Sequence, residues 1–279
     1  MRLKKIPAVR LCAALIMVWA MVSLPVEAAG RLNVVVTTSL LQSAVREIGG
    51  KHVSVSTLIP PGSCPGHYDI CPQDIRKLSS SKLVLTHGYE GFVDNILKSM
   101  GRNKPKLVKI STSGNWMVPD VYVCGAKRVC DALCKADPKH SAEYRKSLSS
   151  LETRAKGLAA QLQKESKTVG TSKFAVLCSD QQKAFMKWMG FKVIGTYTRA
   201  EEFTPAELHK LTADARKKHV KLVIDNLQSG PTAGKELAKD ISAAHVTLSN
   251  FPGGFARTDT WSKCLQDNVN RLMRGIRKR

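Results

Sequence analysis

The chain has 279 residues, 43% of them apolar and 24% charged, which is enough to bury a core and excludes a disordered or collagen-like polymer. Lys and Arg number 44 against 22 Asp and Glu, a formal charge of +22. Such an excess draws anionic partners, a membrane surface or nucleic acid, and is silent about the fold.

The basic start at residues 1–5 leads into an apolar stretch at 13–24, too short to cross a bilayer as a helix. Pro25 and the small residues at 26–29 then offer a cleavage site. Residues 1–29 therefore read as a cleaved secretory signal peptide, and the mature chain as a periplasmic protein. Export leaves little nucleic acid to meet, so the basic surface is expected to rest against anionic lipid or a membrane partner, or simply to be solvated. Once Cys12 leaves with the leader, seven cysteines remain: Cys64, Cys71, Cys124, Cys130, Cys134, Cys178 and Cys264. An odd number leaves at least one thiol unpaired, while an oxidising compartment favours disulfides among the others.

β-Branched runs at 32–38, 53–59, 82–86 and 106–110 predict strands, with helices between them at 40–48, 72–79 and 90–99. Near-continuous apolar strands spaced by helices predict a parallel sheet covered on both faces. From 142 to 167 the chain carries no proline and no strand signal. Tyr144, Leu148, Leu151, Ala155, Leu158 and Leu162 recur there at helical spacing and form one apolar stripe on a single long helix. Strands at 173–178, 191–196, 220–225 and 245–249 follow, with helices at 181–189, 205–219, 232–242 and 259–274. The predicted fold is α/β. Two parallel-sheet lobes, residues 30–141 and 169–279, are joined by one long rigid helix, residues 142–168.

This layout comes with Thr37-Thr38-Ser39 after the first strand, Gly49-Gly50, and the segment PPGSCPGHYDICPQDIRKLSSSKLVLTHGYEGF at 60–92. Together they resemble the zinc- and manganese-type solute-binding proteins of ABC importers, periplasmic binding proteins with a helical backbone. The family's counterpart reads P-P-G-x-D-P-H-x-Y-E-P-x-P-x-D. Pro60, Pro61, Gly62, Pro65, Tyr68, Pro72 and Asp74 match it. The resemblance implies a monomer with a metal ion in the cleft, one pair of ligands from each lobe, and delivery to a membrane permease driven by an ATPase. A single stiff connecting helix implies small lobe motions.

The family's ligand positions are largely replaced. Cys64 stands for an Asp, Gly66 for the first His, and His67 follows one residue later. The second His falls at Asp120, the third ligand at Cys178 or Ser179, and the last acid at Ser249 or Asn250, while Asp225 takes an acid's place. Independently of the resemblance, His67, His87, Asp120, Cys178, Asp225 and Ser249 lie at strand ends or in the loops that follow, the positions that border ligand crevices in open α/β sheets. Cys64, His67 and Cys178 with Asp120 or Asp225 would make a soft site, favouring zinc, copper or nickel over manganese. The expected cargo is thus a transition metal ion, zinc foremost.

Each candidate also has a plainer reading. Cys64 and Cys71 bracket a short loop and can form a disulfide, leaving His67 as the single best ligand. His87 is a ligand or a turn histidine, and Cys178 a ligand or a buried thiol. Cys130 and Cys134 share one helix face and, with Cys124, are core thiols, disulfide partners or a second metal cluster. The segments 225–230 and 249–255 are rich in Asn, Gln, Ser and Gly. Asn226, Gln228, Ser249 and Asn250 suit hydrogen bonding to a polar ligand, so a metal complex or an organic molecule is the alternative cargo. Enzyme readings find little footing, because C-x-x-C, G-x-S-x-G, H-E-x-x-H and a P-loop are absent. A basic adhesin rests on charge alone, and a nucleic-acid binder would want more aromatics for stacking.

Overall fold

The computed structural model describes residues 30–277, except for the side chains of Asn103 and Ala200. The signal-peptide reading therefore lies outside the described residues. Two four-stranded parallel sheets carry the architecture. The first holds β1 (Leu32–Val36), β2 (Val53–Thr57), β3 (Leu83–Thr86) and β4 (Lys106–Lys109) in the order β2-β1-β3-β4. The second holds β5 (Ala175–Ser179), β6 (Lys192–Tyr197), β7 (Leu222–Asn226) and β8 (Ala244–Leu248) in the order β6-β5-β7-β8. The second sheet repeats the topology of the first.

The helices are α1 (Ser39–Gly49), α2 (Pro72–Ser79), α3 (Gly91–Ser99), α4 (Pro119–Ala136), α5 (Ser141–Val169), α6 (Lys183–Trp188), α7 (Pro205–Lys217), α8 (Thr232–Asp240) and α9 (Trp261–Arg277). Among the described residues none is long and apolar enough to cross a membrane. The long helix α5 runs 29 residues and ends on Gly170, whose φ of +74° supplies the left-handed turn that stops it. Its predicted stripe is the buried one: Tyr144, Leu151, Ala155 and Leu162 lie in the core, with Leu148 and Leu158 packed against it.

The central strands of each sheet are buried on both faces, and period-two alternation sends their successive side chains to different cores. In β1, Leu32, Val34 and Val36 face one core and Val35 another; in β5, Val176 and Cys178 face one and Leu177 another. The core shared by the two sheets is continuous through α1, α4, α5 and α9, so the lobes are two halves around one apolar body. Helix α4 is longer than the helix face expected at Cys130 and Cys134. Its apolar face reads Tyr122, Ala126, Val129 and Leu133, a four-three-four step of modest residues interrupted by thiols. Pro119 in its first turn and the acid Asp120 beside it are the usual opening signals.

The expected Cys64–Cys71 staple is not formed. Cys64 Sγ meets His67 Nδ1 at 3.4 Å, whereas Cys71 Sγ donates to Asp74 Oδ2 at 3.1 Å, and all seven described cysteines are free thiols. The local reason is Asp74. Its carboxylate also accepts from Cys71 N, Tyr68 Oη and Lys77 Nζ, which holds it at about pKa 2 against the cost of burial, and Cys71 opens α2 as its cap. Cys130 and Cys134 do share a face, with sulfurs 4.0 Å apart, while Cys124 is exposed.

Candidate functional site

In each sheet the chain runs to one side from the first strand and then returns to the other, so a crevice opens at the carboxyl ends of β1 and β3, and again of β5 and β7. The two crevices face a common cleft of about 650 Å³. Its walls come from the loops after β2, β3 and β4 on one side and after β5, β6, β7 and β8 on the other.

The first-lobe wall is built around His87, at the end of β3. Thr38, which caps α1, meets His87 Nε2 at 2.8 Å across the crevice. Glu90 then clamps the loop, accepting from Thr37 Oγ1 at 2.5 Å, His87 N at 3.2 Å and Gly88 N at 2.9 Å. Trp116 sets its ring edge-on to the imidazole at 4.8 Å, and Tyr89 stacks on it at 5.2 Å. Burial pushes the His87 pKa down to about 4, outweighing the attraction of Glu90, so the ring is neutral at physiological pH and able to accept a metal or a hydrogen bond. Cys64 and Gly66 complete this wall.

The second-lobe wall is a web of carboxamides. Asn250 Oδ1 accepts from Gln182 Nε2 at 3.0 Å and from Asn115 Nδ2, across the cleft, at 2.9 Å. Gln182 Nε2 also reaches Asn226 Oδ1 at 3.1 Å, spanning the crevice between β5 and β7. Gln228 accepts from Asn250 N at 3.1 Å and donates to Pro61 O of the first lobe at 2.7 Å. Arg199, after β6, completes the wall and donates to Gln228 O at 3.3 Å.

The cleft thus brings together Cys64, His87, Ser179, Asn226, Gln228 and Asn250 of the sequence candidates. The others are placed elsewhere, each for a physical reason. His67 is exposed beside Cys64 and does not line the cleft. Asp120 is exposed in the first turn of α4, where a carboxylate favours the helix dipole. Cys178, one residue before the end of β5, points into the core from a strand buried on both faces, and burial lifts its thiol to about 12. Asp225 points away from the cleft under α8, held by His245 Nε2 at 2.6 Å and Tyr197 Oη at 2.8 Å. Gly234 is needed there, because a Cβ would come within 2.4 Å of the Asp225 carboxylate. Ser249 braces the floor, accepting from Gln228 Nε2 at 2.9 Å and donating to Phe251 O at 2.8 Å. Among the described residues no three His, Cys, Asp or Glu side chains converge to hold an ion.

Sequence reasoning did not single out Tyr89, Asn115, Trp116, Gln182 or Arg199. Asn115 and Trp116 follow β4 and Arg199 follows β6, so the strand-end rule that found His87 points to the same loops.

The sequence model of the ZnuA family, described as the periplasmic component A of the zinc-uptake complex, matches residues 34–275. The manganese-binding lipoprotein MntA of Bacillus subtilis (strain 168) is 27% identical over 209 residues, 66% of this chain and 68% of MntA. The metal ABC transporter substrate-binding lipoprotein FimA of Streptococcus parasanguinis is 20% identical over 279 residues, 89% of this chain and 90% of FimA. The periplasmic zinc-binding protein TroA of Treponema pallidum has the same fold, with a TM-score of 0.76 at 17% identity over 88% of this chain and 99% of TroA. A match running from the first strand to the last helix, on a fold of twin sheets facing one cleft, leaves a single assignment: the chain belongs to the ZnuA family, the substrate-binding proteins of metal ABC importers.

Proposed function

We propose that this protein works in the periplasm as a monomer, capturing a first-row transition metal of the zinc type in the interlobe cleft and handing it to a membrane permease and its ATPase. The observation that carries this reading is the neutral, buried imidazole of His87 in the same cleft wall as the Cys64 thiol, with His67 Nδ1 3.4 Å from that sulfur. Imidazole and thiolate prefer zinc to manganese. Dialysis of chelator-free protein against zinc and manganese salts, followed by elemental analysis, tests it. One equivalent of zinc retained in preference to manganese, from the salts or with histidine or citrate in the buffer, is the expected result. His87→Gln and Cys64→Ser should each weaken retention about tenfold or more, the usual scale for loss of one ligand contact. Failure of either metal to be retained, with or without small ligands in the buffer, overturns the reading.

The positive charge has a place in the same scheme. Strand carboxyl ends border the cleft, so strand starts lie away from it. In the first sheet that starting edge carries exposed Lys51, Lys82, Lys104 and Lys106, with Lys106 N donating to Lys82 O at 3.1 Å. The chain enters β1 at this same edge. An anionic bilayer against it would leave the cleft open, each lysine contributing about 1 kcal/mol near the surface. The protein should co-sediment with phosphatidylglycerol vesicles and not with phosphatidylcholine ones. Raising the salt to about 0.5 M should release it, and so should Glu in place of Lys82, Lys104 and Lys106. Equal binding to both vesicles would remove the membrane from this account.

A further inference from the structure

We propose that the cleft takes its metal as a complex with a small carboxylate-bearing chelator, not as a bare ion, with Arg199 holding the chelator's carboxylate. The inference rests on the metal-import reading above and names the form in which the metal arrives.

Size is the first observation. Zinc bonds to its ligands at about 2.0–2.3 Å, so an ion and its donors occupy a small part of a space of about 650 Å³. Volumes of that order house organic ligands. The second is the uneven chemistry of the walls. The soft donors Cys64 and His87 stand on the first lobe, while the facing wall carries the amides of Asn226, Gln228 and Asn250, which are poor ligands for zinc and are already bonded to one another and to Gln182, Asn115 and Pro61, so the second lobe adds no strong donor to an ionic site. Asp225, the acid best placed in the sequence to complete an ionic site, is turned away and paired with His245 and Tyr197. A metal held from one wall keeps open coordination positions, and a chelator can fill them.

The third observation is Arg199. Its side chain is 21% exposed, and its ion-pair partner Glu201 lies 3.6 Å away and is itself 69% exposed. Glu201 is thus largely hydrated, and a carboxylate arriving in the cleft can compete for the planar guanidinium through paired hydrogen bonds. The acids that line the cleft, Asp180 and Glu202, are exposed. Tyr89, 59% exposed and stacked on His87, offers a flat apolar face beside the donors for the organic part of the complex.

The test titrates the protein with zinc sulfate, zinc–bis(histidinate) and zinc citrate, and with histidine and citrate alone, and assays metal and chelator retained after dialysis. The expected result is one zinc and at least one chelator per chain from one of the two complexes, about tenfold or more tighter than zinc sulfate. Arg199→Ala should weaken that complex about tenfold, and Arg199→Lys, which keeps the charge without the fork, by less. Saturation by zinc sulfate as tight as by either complex would overturn the proposal and leave the import reading standing. So would retention of zinc without chelator from both complexes. Retention of the free chelators as tightly as their complexes would overturn the metal reading itself.

Discussion

Trp261→Ala is expected to remove about 3–5 kcal/mol of stability, the range for truncating a fully packed aromatic. Trp261 opens α9 in the second half of the chain, yet its ring lies parallel to Tyr122 of α4 with centroids 4.1 Å apart, and is 2% exposed. Its indole N–H donates to Trp116 O at 2.8 Å, which fixes the backbone of the residue that walls the cleft beside His87. Truncation therefore leaves a cavity, an unpaired carbonyl and a looser seam at once. Trp261→Phe restores most of the ring contact but not the hydrogen bond, and should recover all but about 1–2 kcal/mol. Equilibrium unfolding in urea measures both. A loss below about 1 kcal/mol for the Ala variant would mean that the lobes do not depend on this stack.

Acid should destabilise the metal-free protein through His87. Its pKa falls from 6.5 to about 4 on folding, chiefly because burial penalises the imidazolium. Between those values the unfolded chain binds the proton and the folded one does not, so stability falls as pH drops through this window and levels off below about 4. Carrying the wild type from pH 7 to pH 4.5 should cost on the order of 2–3 kcal/mol from this group. His87→Gln keeps a polar atom near Thr38 without a titrating ring, and the difference between the two pH profiles isolates the effect from carboxylates such as Asp74 that lose stability at lower pH. Parallel profiles down to pH 4.5 would show that the imidazole is not desolvated. The same depression keeps the ring available to a metal across the neutral range.

Most of the architecture was legible in the chain. Strand runs, the helix at residues 72–79 and the stripe from Tyr144 to Leu162 are encoded by local periodicity, and local periodicity survives into the fold because each face must find a core. The ends of β2 and β7, at Thr57 and Asn226, are displaced only slightly from the predicted limits, because strand pairing rather than composition ends a ladder. Helix α4 escaped because between Tyr122 and Leu133 its buried face carries Gly125, Ala126, Val129, Cys130 and Ala132, small residues whose periodicity is weak until a partner helix is in place.

The site divides along a different line. Of the six residues placed by the rule that strands end at the crevice, only His87 lines the cleft; Asn226, Gln228 and Asn250, which also line it, were singled out for their amides in the loops after β7 and β8. Asp225 and Cys178 sit within a residue or so of the same rim and miss it, because successive side chains of a strand point to opposite faces and a shift of one residue turns a ligand into a core or bracing group. Cys64 and Cys71 were decided by a neighbour, Asp74, whose hydrogen bonds hold one thiol away from the other. The amino-acid sequence alone determined two α/β lobes, the long helix between them and the family to which they belong, because these depend on patterns repeated over many residues. Only the tertiary structure decided which donors share the cleft, because that turns on the direction of single side chains, and direction is set by whichever partner, core or solvent each one meets.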